Sequence, residues 1–457
     1  MAAAVAPPRR PAGMPAFLIV WIGQFVSVLA TNMTQFALTI WVYEKTHSVT
    51  ALALQGVFFI TPFLIISPVA GALVDRHNRK LMMMVSDFGA GLATIFLLVM
   101  QASGHLEVWQ LYAAALVAGT CQAFQWPAYS ASISLMVPKA QLGRANGLMS
   151  LLDAGPGVLA PLLAGALLPL ITLTGIMVID VATFLFAVGA LALVFVPQPT
   201  RTAAGQAGQG NLLKESAYGL RYILARPSLL GLQLVFFFGN FFSGVGFTAL
   251  APMILARTNN NEAIFATVQS IGAAGGIIGG IVMSAWGGFK RRAYGVLVGW
   301  IVGSFFGQVL FGLSDAVPVW AVAAFLGAMV IPLTNGSNQA IWQAKVAPDV
   351  QGRVFATRRM IAWLTTPVTP LIAGALADLW LEPAMRPGGS LAGAFSWLVG
   401  TGPGAGMKLM IIVTGLAATL VGFLGYFFRV VRDAEAILPD HDLPAAEPAA
   451  PAAVAAA

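Results

Sequence analysis

The sequence predicts an all-α integral membrane protein of about twelve spanning helices arranged as two six-helix bundles, and three observations carry that prediction. Of 457 residues, 58% are hydrophobic and only 9% charged, with a mean hydropathy of +0.83; ordinary soluble domains are about a quarter charged. Apolar segments recur along the chain, each long enough to cross roughly 30 Å of hydrocarbon as a helix. A stretch of the fifth segment also returns in the eleventh at the same register, as a duplication of six spans requires.

The segments fall at about 15–43, 48–74, 81–101, 108–137, 143–170, 172–196, 229–256, 263–288, 293–313, 316–346, 353–380 and 406–430. Between the second and third stands Gly71-Ala72-Leu73-Val74-Asp75-Arg76-His77-Asn78-Arg79-Lys80. Its charges cannot stay in lipid, so the loop fixes where two helices end, and its cations place it in the cytoplasm. With both termini cytoplasmic, the inner loops and tails hold 20 of the 24 Lys and Arg, among them Arg9, Arg10, Arg201 and Lys214. Lys45, Arg257, Arg386 and Lys408 remain outside. Such asymmetry is what the positive-inside rule demands, and it places the chain in the plasma membrane as a multi-pass protein.

The domains follow: a cytoplasmic lead-in at 1–14, a first bundle at 15–196, a cytoplasmic linker at 197–228, a second bundle at 229–430 and a disordered tail at 431–457. The linker is Gly/Gln/Ala-rich from Ala203 to Gly210 and helical in pattern from Asn211 to Ala225. From Leu443 the chain is Pro/Ala-rich.

Several classes are excluded. Cys121 is the only cysteine, so no intrachain disulfide forms, and His47, His77, His105 and His441 are scattered, which speaks against a metal site. No GxxxxGK[ST] loop offers to hold ATP, and no nucleophile and base are paired near one face, so neither an ATP-driven pump nor an enzyme is expected. No cofactor is called for beyond a proton gradient as energy source. The net charge of +7 is shared among short loops, which fits a membrane surface and not nucleic acid. The expected partners are a small-molecule substrate and the lipid bilayer, with the chain acting as a monomer.

The repeat is specific. Gly143-Arg144 precedes Pro161-Leu162-Leu163-Ala164-Gly165-Ala166-Leu167 as Gly352-Arg353 precedes Pro370-Leu371-Ile372-Ala373-Gly374-Ala375-Leu376, the two copies 209 residues apart, and the same offset carries Gly71 to Gly280. Two halves in the same orientation place a solute site at their interface near mid-membrane.

Gly71-(x)3-Asp75-Arg76-(x)2-Arg79-Lys80 resembles the signature loop of the major facilitator superfamily. The runs Asp153-Ala-Gly155-Pro156, Ile179-Asp180-Val-Ala-Thr183-Phe184 and Gln351-Gly352-Arg353-Val354-Phe355 resemble its macrolide and siderophore efflux branch. Asn78 stands where that family has Gly, and Asn tolerates a left-handed turn next best. The resemblance implies that the loop latches the two bundles on the cytoplasmic side. Physically, Asp75 can face the positive N-terminal end of span eleven and Arg353, Arg358 or Arg359 near it; alternatively Asp75, Arg76, Arg79 and Lys80 only stop two helices. Span five resembles the family's antiporter motif in part. Gly157, Ala160, Pro161, Ala164 and Gly165 there, with Gly272, Gly276 and Gly280 on span eight, offer small-residue faces that would join the bundles near the outer side, or serve ordinary helix packing.

Asp87, Asp153, Asp180 and Asp378 fall inside spans, and no Lys or Arg is expected mid-span. Asp153, the deepest, is the proton-coupling candidate. Asp87 could instead reach Arg79 or Lys80, Asp180 could anchor a helix, and Asp378 lies near the outer end. Gln24, Asn32, Gln35, Gln122, Gln125, Trp126, Asn240, Asn335, Asn338 and Gln339, with Phe58, Phe59, Phe236 and Trp363, describe an apolar chamber with scattered hydrogen-bonding groups and no fixed charged clamp. Pro127, Pro332, Pro367 and Pro370 would break helices where hinges are useful. The expectation is a secondary transporter exporting lipophilic or amphipathic, drug- or siderophore-like molecules by alternating access and proton antiport; the alternative is a proton-independent facilitator or importer.

Overall fold

The computed structural model describes residues 13–46, 49–199, 215–259 and 261–441. Arg9, Arg10, His47, Arg201, Lys214, nearly all of the 1–14 lead-in, the 200–214 part of the linker and the tail beyond 441 lie outside these residues.

Long apolar runs become long helices because, in hydrocarbon, a helix satisfies every backbone polar group within its own segment. In chain order they are α1 (Gly13–Thr46), α2 (Val49–Arg76), α3 (Arg79–Ala102), α4 (Val108–Met136), α5 (142–171) and α6 (173–193). The second half gives α7 (Pro227–Arg257), α8 (Glu262–Trp286), α9 (Arg292–Leu313), α10 (Val317–Lys345), α11 (Pro348–Ala384) and α12 (Ala405–Phe427). Helix continues from α5 into α6 except at Thr172, whose φ of 58° and ψ of 176° turn the chain back, where the sequence divides the two segments. Ten stretches among the described residues are long and apolar enough to cross a membrane, the joined α5–α6 counting as one. The 29-residue α4, which carries Gln110, Gln122 and Gln125, is not among them but packs along α2 and α3, which fits a twelve-helix count.

Two of the expected proline breaks are absent, while the break at Leu364 falls three residues before Pro367, whose missing N–H leaves the carbonyl of residue 363 without its helical donor. Helices α4 and α10 run through Pro127 and Pro332. The interruptions are at Leu364 in α11 and at two π-turns, Phe305–Val309 in α9 and Ala377–Leu381 in α11. A membrane helix tolerates proline when neighbouring helices hold the freed carbonyl. Asn78 is not left-handed either: at φ −64° it is the N-cap of α3, its Oδ1 accepting from Leu81 N at 3.2 Å.

The 209-residue offset is visible as geometry. Helix α2 packs on α11 and α5 packs on α8, the pairing that a twofold exchange of the halves demands. Ser130 and Gln339, which are 209 residues apart, hydrogen-bond to each other. Equivalent residues can touch only where they straddle the pseudo-twofold axis, so α4 and α10 meet on it.

The α5–α8 contact is not where the sequence placed it. A Cβ on Gly157, Gly165 or Gly276 would meet open space, Gly272 faces Ala324 of its own bundle, and Ala160 and Ala164 are buried in the first bundle's own cluster with Met33, Leu38 and Leu173. Pro161 is half-buried on the same stretch. The touching residues are Gly143 with Gly287, Gly147 with Ser284, and Gly280 with Leu151. They lie at the end that carries Asp75, called here the basic end. Spacing of small residues shows which helix face is flat but not the depth at which a neighbour meets it.

The described hydrogen bonds and ion pairs between bundles all lie at the basic end or near the axis. At the opposite end each bundle keeps its own apolar cluster, around Met33, Leu38 and Met177 in the first and Met253, Phe311 and Ile411 in the second. The bundles are therefore closed at one end and parted at the other. A Cβ on Gly71 would fall 2.5 Å from Gly352 O and 2.7 Å from Ala356 Cβ. Gly71→Ala is expected to cost the closed form about 1–3 kcal/mol, and Gly157→Ala essentially nothing. Maleimide labelling of a cysteine at Ala340, fully buried between the bundles, in a Cys121→Ser background checks this: it should accelerate only in the first variant.

Candidate functional site: a charged latch and a carboxylate-lined cavity

Helix α11 opens with backbone N–H groups that have no partner within the helix, and its start is buried. The missing acceptor comes from the other bundle. Asp75, at the end of α2, accepts from Gly352 N at 2.7 Å, Arg353 N at 2.9 Å and Arg353 Nε at 3.2 Å. Arg79 adds an ion pair at 3.5 Å, and its guanidinium also donates to Ala131 O and, across the gap, to Pro348 O. Arg79 is wholly buried, which only such pairing permits.

The neighbouring cations take different tasks. Lys80 donates to Ala192 O and Val194 O, each at 2.7 Å, and so caps the end of α6. Arg76 turns outward to make two 2.8 Å hydrogen bonds with Glu215, which the sequence reading overlooked. Glu215 leads into the short helix Tyr218–Leu224, and Tyr218 lays its ring 4.7 Å from the Arg353 guanidinium. The linker thus rests on the latch.

Below Asp75 is a plane of amides and hydroxyls. Gln343 accepts from Asn146 Nδ2 at 2.7 Å and donates to Ser130 O at 3.0 Å; Ser134 donates to Gln351 Oε1 at 2.6 Å. Gln339 donates to Ser130 Oγ and accepts from Arg358 Nη1. Gln339 and Asn338 therefore belong to the closing plane and not to a substrate chamber, Asn338 accepting from Trp342 Nε1. Asn335 is exposed, and Asn240 is half-buried away from the cavity.

Residues 431–441, expected in a disordered tail, are part of the closure. Two short helices, Arg429–Arg432 and Ala434–Ile437, lead to Asp440, which pairs with Lys139 of the first bundle at 3.0 Å and Lys345 of the second at 2.9 Å.

The cavity, of about 600 Å³, is lined by the first bundle alone. Gln24, Asn32, Gln35, Gln122, Gln125 and Trp126 line it as expected, and so do Asp87, Asp153 and Asp180. No Lys or Arg does. Asp87 does not reach Arg79 or Lys80: its oxygens accept from Gln24 at 2.9 Å and Gln125 at 2.8 Å. Asp180 is nearly buried and accepts from Thr31 at 2.8 Å, tying α6 to α1. Asp153 is exposed on the cavity wall, and no described donor reaches it. Arg358 and Arg359, expected at the gate, sit deeper: Arg358 stacks on Trp342, and Arg359 lies among Trp126, Trp363 and Phe63. The absence of a mid-span cation is thus corrected, because α11 begins at Pro348.

Two pseudo-symmetric helical bundles, a charged tie at one end and a polar cavity between spans define a secondary transporter. The chain belongs to the Major Facilitator Superfamily, whose family matches residues 20–370. It is 27% identical to macrolide efflux protein A of Streptococcus pyogenes over 371 residues, 79% of this chain and 89% of that one. It is 23% identical to the enterobactin exporter EntS of Citrobacter koseri over 415 residues, 90% of this chain and 91% of that one. The branch that the sequence resembles is thus the branch of its relatives. In fold it matches FucP, a transporter of this superfamily solved in the outward conformation, with a TM-score of 0.69 and 10% identity over 90% of this chain and 98% of that one.

Asp75→Asn removes the charge while keeping the shape. Leaving Arg79 and Arg353 without a buried counter-charge should cost the closed form about 3–5 kcal/mol. The variant is expected at normal abundance in the membrane but with faster Ala340→Cys labelling and slower transport. The Asp440 tie behaves differently with pH. Burial opposes its charge, but hydrogen bonds from Lys345 and Lys139 outweigh that and hold its pKa below the ordinary carboxylate value. A tie of this sign is present above the free pKa and lost as pH falls through the lowered one. Labelling, normalised to the thiolate fraction with an unfolded control carrying the same cysteine, should therefore be flat between about pH 8 and pH 6 and rise with Asp440→Asn, as that sign requires.

Proposed function

We propose that the chain exports amphipathic small molecules that are cationic or uncharged, taking up a proton on Asp153 in exchange. The observation that carries this reading is the lining of the cavity: three carboxylates, several amides and the rings of Trp126, Phe59 and Phe184, without a cation. Such a wall repels anions, offers an ammonium group a counter-charge, and gives an apolar body a surface to cover. A drug-like cation fits it better than an anionic chelator.

The three acids are not equivalent. Asp87 and Asp180 already accept hydrogen bonds, and Asp153 does not, so Asp153 has its oxygens free for a proton or a substrate. One carboxylate serving two competing occupants is the simplest form of exchange. The basic end is read as cytoplasmic, since 14 of the 20 described Lys and Arg lie at it and only Lys45, Arg257, Arg386 and Lys408 lie toward the other. The latched form is then open to the outside, both termini are in the cytoplasm, and the chain works as a monomer in the plasma membrane.

The test is the accumulation of a compound panel in cells with and without the protein, with and without an uncoupler. Cationic amphiphiles should accumulate less in expressing cells, the difference should vanish with the uncoupler, and Asp153→Asn should remove it without lowering the amount of protein. Efflux that persists after the proton gradient collapses would favour the facilitator reading.

A further inference from the structure

Arg359 is a cation deep in α11 for which the latch has no use. Its guanidinium lies 4.3 Å from the ring of Trp126 on α4, 5.0 Å from Trp363 and 5.5 Å from Phe63 on α2. Its Nη1 is buried and has no hydrogen-bond partner, and no carboxylate lies within 4 Å of it among the described residues. Aromatic faces attract a cation but do not accept its N–H groups as a carboxylate would. The charge that acts on Arg359 is Asp153, and the charge that acts on Asp153 is Arg359.

Register explains why these two lie at one level. The repeat partner of Arg359 is Ser150, three residues before Asp153 on α5. At 1.5 Å per residue, a twofold along the membrane normal puts Asp153 and Arg359 within about 5 Å of the same depth. They belong to opposite bundles, and Trp126 stands at the cavity wall beside both. The other titratable groups on the wall, Asp87 of α3, Cys121 and Tyr129 of α4 and Asp180 of α6, are all acids, so Arg359 is the one cation described as acting on Asp153.

We propose that Arg359 is a tethered counter-ion for Asp153: its guanidinium exchanges between the aromatic cage, where it lies in the latched form, and the Asp153 carboxylate, which it takes when the bundles move, and a cation bound at Asp153 holds it in the cage. This rests on the reading of the cavity as a site for cations. The cage is the parking position seen here. Because the partners sit on different bundles, occupancy of Asp153 is coupled to how the bundles stand.

Two measurements on the detergent-solubilised full chain test it. In equilibrium binding of tetraphenylphosphonium, Arg359→Gln should bind about tenfold more tightly than the parent, within the usual range for coupling between two sites. Arg359→Lys should stay near the parent, and Asp153→Asn combined with Arg359→Gln should match Asp153→Asn alone. An uncharged amphiphile of similar size should bind all four alike. An equal gain for charged and uncharged probes would mean that Arg359 only fills space, and would overturn the proposal. The second measurement needs no ligand: a thermal-melting double-mutant cycle of Asp153→Asn and Arg359→Gln. Additive shifts overturn the pairing. Non-additive shifts with no cation bound by any variant would keep the pair and overturn the substrate reading instead.

Discussion

The structure depends on one carboxylate placed on the start of a helix that belongs to the other half of the molecule. Without Asp75, the first N–H groups of α11 would be buried donors with no acceptor, and Arg79 a buried cation with no anion. Either would cost more than the contact between two glycine-containing helices can return. The acceptor, the two guanidinium groups and the helix terminus are thus one unit, which forms only when the bundles meet. The linker helix and its Tyr218 ring, the Glu215–Arg76 pair and the Lys80 cap are all hung on the same corner.

The repeat makes the corner informative by contrast. The partner of Asp75 in the second half is Ser284, whose hydroxyl turns back to Gly280 O at 2.7 Å instead of reaching across. Both seams use close glycine contacts, Gly71 against Gly352 and Gly143 against Gly287, and the second has cations beside it, Arg144 at Gly287 and Arg292 donating to Lys139 O, but only the first carries a buried acid. Gene duplication supplies two equal surfaces. A single acid then makes one seam a switchable tie and leaves the other a packed contact.

Much of this can be read in the chain because charge is rare in it. In a sequence that is 9% charged, Asp75, Arg79 and Lys80 cannot be incidental, and the duplicated Gly-Arg gives the register that brings Ser130 to Gln339. The five first-bundle amides expected to line a cavity, Gln24, Asn32, Gln35, Gln122 and Gln125, do so, since a polar side chain on an otherwise apolar span has few places to go. What the sequence conceals is depth. Gly157 and Gly280 look alike by spacing, yet one faces open space and the other faces Leu151, because helix tilt decides which turn meets a neighbour. Arg359 looks like a loop residue when α11 is started at 353, and becomes an intramembrane cation once the helix begins at Pro348. Amides such as Gln343 and Gln351 give no hint whether they face a solute or the partner bundle.

The closing plane shows how a molecule with such a tie still opens. Between Asp75 and the cavity the bundles are joined by neutral groups: Gln343 with Asn146, Ser134 with Gln351, Gln339 with Ser130. Each such hydrogen bond contributes only about 0.5–1.5 kcal/mol net, because water replaces it when the seam parts. An apolar plane of the same area would seal more tightly but would expose hydrocarbon on opening, and its cost would grow with every residue exposed. A plane of charges would leave buried ions unpaired halfway through the movement. Amides avoid both penalties. They keep the closed and open forms within the few kcal/mol that a bound solute or a proton can tip, and leave the decision between them to Asp75.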